Sequence, residues 1–382
     1  WGTSCAFLDY DNDGDLDLFA TNYVDFDLDR NVVCKEGKIR TYCRPQAYEP
    51  IGDLLYRNDG GRFVDITREA GIELAGRGLG VALSDFDWDG DTDIYVANDG
   101  TMNFLYENRR GHFAEIGLLA GTRYNEDGRA EAGMGVDFGD YDNDGHQDIF
   151  VTNFGFETNT LYRNSGEGHF ADIVGPLGLA EPTYDPLGFG TKFIDYDNDA
   201  DLDLFVANGH VLDLMDDIDT TGHLSYYQTN QLLRNEAGAR FIDVSAQSGA
   251  SFAVKNVGRG TATADYDNDG DLDLLVNGVA DPPRLLRNDG GNQRHWLLVE
   301  LVGTAHRDAL GAIVKATFGT STQIRERQSG GSYLSAHDPR LHFGLGAAKQ
   351  VDLEIHWPDG QIQRLQAVAA DQILRVEQPP AP

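Results

Sequence analysis

The chain has 382 residues, 41% of them hydrophobic, with a mean hydropathy of -0.41 and a formal charge of -33. That length supports a large core in one or two domains; no apolar run approaches the roughly 20 residues of a membrane span, and the opening residues lack a basic-apolar-small signal pattern. A balance this acidic, without a basic stripe, excludes binding to a phosphate backbone.

The acid is concentrated in one recurring pattern. Asp9-Tyr-Asp11-Asn-Asp13-Gly14-Asp15-Leu-Asp17 places acidic side chains at positions 1, 3, 5 and 9 and a glycine at 6. Alternate carboxylates converge when the chain curls around a hard cation, glycine permits the bend, and position 7 offers its backbone carbonyl, as in the first half of an EF-hand loop. The pattern returns at Asp85, Asp87, Asp89, Asp91 and Asp93; at Asp140, Asp142, Asp144, His146 and Asp148; at Asp195, Asp197, Asp199, Asp201 and Asp203; and at Asp265, Asp267, Asp269, Asp271 and Asp273. These residues are the predicted metal ligands, five Ca2+ in all, with position 7 contributing only its carbonyl. Ala200 stands where the other loops have the position 6 glycine, which predicts a strained turn. The five loops hold 24 of the 63 acidic residues, so the remainder balances at 30 minus 39, or -9. The acidity is metal-site acidity, and an acidic disordered tail is excluded.

Neither flanking helices nor a glutamate at position 12 accompany these loops, so they are not EF-hands. Paired glycines and an alternating run precede four of them, as in Gly78-Leu-Gly80-Val-Ala-Leu-Ser84, and a β-rich run such as Ile94-Tyr-Val-Ala-Asn98 follows each. A third strand (Leu105-Tyr-Glu-Asn108) and a fourth (Phe113-Ala-Glu-Ile116) recur after that. Four antiparallel strands in a unit of about 55 residues describe a propeller blade. The fifth repeat lacks its fourth strand. Long insertions, Tyr23 to Asp53 and Gly209 to Gln231, follow the second strand of the first and fourth repeats, and loops on one face of a rigid scaffold make that face the expected binding surface.

Cys34 and Cys43 lie in the first insertion and are expected to be bridged, closing a short loop worth roughly 2 to 3 kcal/mol. Cys5 aligns with Val81, Val136, Thr191 and Thr261, which predicts a small buried strand residue. A disulfide together with calcium points to an extracellular, cell-surface or periplasmic location.

The D-Y-D-N-D-G-D-L-D-L-F core, the L-Y-R-N and F-x-D strands and the paired glycines resemble the FG-GAP or VCBS repeat propellers, in particular the cartilage acidic protein family, over nearly all of residues 1–290. The resemblance implies an all-β, calcium-loop β-propeller of five to seven blades. From residue 291 the repeats give way to alternating strands such as His295–Val302 and Val351–Trp357, expected to form a small β-sandwich to residue 382. The runs Ser329-Gly-Gly-Ser-Tyr-Leu-Ser335 and Asp338-Pro-Arg-Leu-His-Phe-Gly-Leu-Gly346 there resemble the ASPIC/UnbV domain.

The G-x-S-x-G elbow, the P-loop and H-E-x-x-H are absent. The paired glycines miss the dinucleotide pattern, and His210, His337 and His342 read as turn or structural residues before they read as ligands. The favoured expectation is a secreted module in which Ca2+ is structural and a protein or glycan partner, or another copy in self-assembly, meets the insertion face. The alternative is an enzyme of a secondary-metabolite or cell-surface pathway with its site on that face.

Overall fold

A run such as Asp93–Asn98 is buried at every residue, which requires that both faces of its sheet be covered. The computed structural model, which describes residues 1–219, 221–279, 281–304 and 309–380 except for the Glu36 side chain, shows how. The first sheet contains Gly2–Leu8, Asp17–Asn22, Leu54–Asn58 and Phe63–Asp65 in that order, and the next three repeat the same antiparallel meander. The fifth stops at three strands, Gly258–Ala264, Asp273–Gly278 and Arg284–Leu286. Each consecutive pair of sheets encloses its own apolar cluster, from Phe19 and Phe104 between the first two to Phe205 and Leu274 between the last two. The first strands of the five sheets line a common axis, and each Asp-rich loop joins a first strand to a second. All loops therefore lie on one face. Both insertions join second strands to third and lie on the opposite face.

The outer flanks of the series differ from its interior. Leu275 and Leu285 of the fifth sheet are 45% and 49% exposed, whereas their counterparts Phe150 and Leu161 in the third are fully buried. No apolar cluster joins the fifth sheet to the first among the described residues. Phe7, on the first sheet's uncovered flank, is exposed for the same reason, and so is Cys5. This corrects the expectation that Cys5 is buried. Its counterparts Val81, Val136, Thr191 and Thr261 are covered by the sheet before them, whereas no sheet among the described residues packs over Cys5.

The C-terminal part folds as two facing sheets. Leu341–Gly346, His295–Val302 and Gln372–Glu377 form one, with the last two parallel; Ser321–Glu326, Ile313–Phe318, Gln350–His356 and Ile362–Ala369 form the other. Leu297, Phe343, Val314 and Ile355 fill the space between them. The connection from Glu326 to Leu341 leaves this sandwich and runs along the propeller axis. The Phe7 N–H donates to Ser329 Oγ at 2.8 Å, Gly330 bridges Ala82 and Ser332 bridges Val136, the Thr191 N–H donates to Ser332 Oγ at 3.1 Å, and the Asp338 N–H donates to the Thr263 carbonyl at 2.9 Å. One strand of every sheet is touched. The axis is narrow because of the paired glycines: a side chain at Gly135 would place its first carbon 2.0 Å from the Phe189 carbonyl oxygen.

Candidate metal sites

Each loop folds around its position 1 carboxylate. In the first loop the Asp13 and Gly14 N–H groups donate to the two oxygens of Asp9, at 3.1 and 3.0 Å, and the Asp15 N–H donates to Asp13 at 2.9 Å. The other four loops repeat these bonds from Asp85, Asp140, Asp195 and Asp265. Two residues per loop take positive φ: Asn12, Trp88, Asn143, Asn198 or Asn268 at position 4, and a glycine or Ala200 at position 6. Ala200 holds φ 85°, where a Cβ is unfavourable, so the strain expected at that position is present.

The carboxylates converge. Oxygens of Asp9, Asp11 and Asp13 lie within 4.8 Å of one another, as do those of Asp195, Asp197 and Asp199 and of Asp265, Asp267 and Asp269. In the second and third loops the converging trios are Asp85, Asp87 and Asp93, and Asp140, Asp142 and Asp148. Two position 3 oxygens, Asp11 Oδ1 and Asp142 Oδ1, are buried without a hydrogen-bond donor. An all-oxygen donor set with unpartnered lone pairs turned inward fits a hard cation such as Ca2+. Burial opposes the charge these groups carry: it pushes Asp85 and Asp140 up to about 7 and Asp195 to about 8. A divalent cation reverses that preference.

Position 7 side chains stand outside the trios. Asp91 accepts from Asn12 Nδ2 of the preceding loop at 2.8 Å and from the Arg110 N–H at 2.8 Å, and Asp201 accepts from the Ala237 N–H at 3.0 Å. Position 9 does double duty: Asp17 accepts from the Tyr10 N–H at 3.1 Å and the Asn58 N–H at 2.8 Å, tying its loop to the third strand. Sequence reasoning passed over that strand's closing asparagine. Asn108 Nδ2 donates to the Tyr10 carbonyl of the preceding loop at 2.9 Å, and Asn164, Asn235 and Asn288 make the same bond to Phe86, Tyr141 and Tyr196. Their recurrence in every L-x-x-N strand was the available signal.

The C-terminal sandwich sits on this loop face. Arg340 donates to the Asp265 carbonyl and to Asn268 Oδ1, at 2.7 and 2.6 Å. Arg294 donates to the Asp197 carbonyl at 2.9 Å, Ser84 Oγ donates to Glu326 at 2.5 Å, and the Trp296 ring covers Gly270. His210, on the far face, is fully buried. Its Nδ1 accepts the Leu212 N–H at 3.0 Å, which leaves the proton on Nε2, and burial lowers its pKa to about 4. That tautomer presents no lone pair at Nε2 for a metal. Cys34 and Cys43 are bridged.

Profiles of the "FG-GAP-like repeat" family match residues 85–151 and 140–206, and that of the "ASPIC and UnbV" family matches residues 303–382. Residues 85–206 thus carry FG-GAP-like repeats, and residues 303–382 an ASPIC and UnbV domain. These FG-GAP matches contain the second, third and fourth loops, so the repeats and the carboxylate clusters are the same feature. Along 94% of its length the chain is similar to cartilage acidic protein 1, at 25% identity in Mus musculus and 29% in Xenopus tropicalis. It spans about half the length of these curated relatives, 52% of each. A looser likeness extends to a solved Agrocybe aegerita lectin that recognises non-reducing terminal N-acetylglucosamine, with TM-score 0.37 and 15% identity over 96% of this chain and 81% of that one.

Proposed function

We propose that this FG-GAP protein is a secreted, calcium-stabilised binding module in which up to five Ca2+ hold the loop face rigid and the insertion face meets the partner. The observation that carries the reading is the division between the two faces. The C-terminal sandwich packs on the loop face, where its Arg325, Arg340 and Glu326 are already engaged with protein groups. The insertion face is left open and carries exposed Leu28, Tyr42 and Tyr227. Exposed aromatic residues on a rigid scaffold suit recognition better than chemistry. The disulfide supports an oxidising, extracellular setting. In the calcium sites, the aspartates at positions 1, 3, 5 and 9 supply carboxylate oxygens and position 7 its carbonyl.

Thermal unfolding in calcium, in magnesium and in chelator tests the structural role of the ion. A site held at 100 times its Kd adds about 2.7 kcal/mol, and emptying five of them would lower the melting temperature by roughly 15 to 20 °C. An unchanged melting temperature in chelator would refute it.

A further inference from the structure

We propose that the disulfide-pinned hairpin of the first insertion, Cys34–Glu36 paired with Ile39–Thr41, docks an anionic polysaccharide, with Lys35, Lys38, Arg40 and Arg44 holding its acidic groups and Tyr42 stacking on a sugar ring. This rests on the reading of the insertion face as the binding face and names the partner's chemistry.

The hairpin is a local exception to the charge of the whole. Residues 35–44 contain four cations and one acid, a balance of +3 in a chain of -33. All four cations are exposed, and none is ion-paired among the described residues. Carboxylates are available nearby: Arg30 of the same insertion is paired with Asp25 at 3.1 Å and Asp27 at 3.5 Å. Among the described residues the hairpin cations have no such partners.

The register adds a second observation. Lys35 stands directly opposite Arg40 across the two strands, and like charges in that position destabilise a hairpin. The Cys34–Cys43 bridge holds the strands together against that repulsion. Such a local conflict is expected where a ligand of opposite charge resolves it. By strand alternation Tyr42 falls on the face of Lys35 and Arg40, and it is 71% exposed. Tyr226 and Tyr227 of the second insertion, on the same face of the propeller, meet edge to face with ring centroids 5.1 Å apart.

Cations alone would suit any polyanion. Interleaving them with exposed tyrosines favours a polymer that alternates acidic groups with flat, weakly apolar ring faces. Arginine adds a planar fork that matches carboxylate and sulfate. An acidic peptide supplies the charge without the rings.

The test measures binding of a heparin fragment to the full chain in calcium and low salt, with uncharged dextran, hexaglutamate and oligo-dT as comparators. The wild type should bind heparin, with affinity falling as salt rises, and should ignore dextran. Lys35→Gln/Arg40→Gln and Tyr42→Ala should each lose at least tenfold, and Tyr42→Phe should retain binding. The double variant should melt no lower than wild type, because a like-charge pair has been removed. No heparin binding, or binding unaffected by the double variant, would overturn the proposal. Hexaglutamate or oligo-dT bound as tightly as heparin, with Tyr42→Ala silent, would overturn the polysaccharide in favour of a peptide or nucleic acid. Hydrogen exchange of the heparin complex separates this proposal from the reading beneath it: protection of residues 33–44 supports both, protection confined to 209–231 overturns the hairpin alone, and protection only on the loop face overturns both.

Discussion

Asp53 is the position where one substitution tests the physics of the repeat. It precedes the third strand of the first sheet, where the next three repeats carry Asn103, Asn159 and Asn230. In all four the side-chain Oδ1 accepts a backbone N–H from the end of the second strand, at 2.9 Å from Asn22 in the case of Asp53. An asparagine at this position has its amide NH2 left to donate. Asp53 cannot do so, and its Oδ2 and the Tyr106 phenol oxygen are both buried without partners. Burial raises the Asp53 carboxyl from 3.8 to about 7. At 1.36 kcal/mol for each tenfold change in proton affinity, ionising it in the fold costs roughly 4 kcal/mol. Because the folded value lies above the unfolded one, this stability is complete below about pH 4 and is lost as pH rises through about 7. Asp53→Asn keeps the bond to Asn22, supplies a donor toward Tyr106 and has no charge to bury. In calcium-saturated buffer it should match wild type near pH 4, gain progressively between pH 4 and 7, and melt roughly 5 °C higher at pH 8. Glu131, also raised by burial to about 7, titrates in both proteins, so the difference isolates Asp53. A variant that is less stable at pH 8, or equally improved at pH 5 and 8, would refute the reasoning.

Ala200→Gly relieves the one non-glycine residue held at positive φ at position 6 and should stabilise the calcium-loaded protein by about 1 kcal/mol, read as a higher midpoint in urea; the same change should tighten calcium at the fourth loop in a titration. Thiol counting on unreduced, denatured protein should find one free thiol. In the native fold that thiol, Cys5, should react with Ellman's reagent within a few fold of free cysteine, and protection by orders of magnitude would contradict its exposure.

The loops, the meander and the disulfide were legible because each is written locally: carboxylates two residues apart, glycine at the bend, cysteines nine residues apart. Residues whose setting depends on distant neighbours were harder to read. Cys5 sits in the same sequence context as Val81, and the two differ only in whether another sheet of the described residues packs over them. The asparagines that close the third strands reach into the preceding repeat, and no spacing within one repeat announces that contact. The Ser329–Ser335 run was recognisable by resemblance, but its hydrogen bonds go to four strands scattered through the preceding chain, so its place on the axis could not be read from its own residues.

That axial placement governs the order in which the molecule can be made. Ser329 meets Phe7 across 322 residues, and Leu334 meets Ser4 across 330. Contacts between such distant parts of a chain close late and slow the approach to the native state. During synthesis these five sheets emerge before residues 326–341 and must wait, their first strands facing an axis not yet filled, until that connection leaves the ribosome. A protein cut after residue 290 would remain in that waiting condition, so the C-terminal sandwich is in effect the final step of folding the propeller.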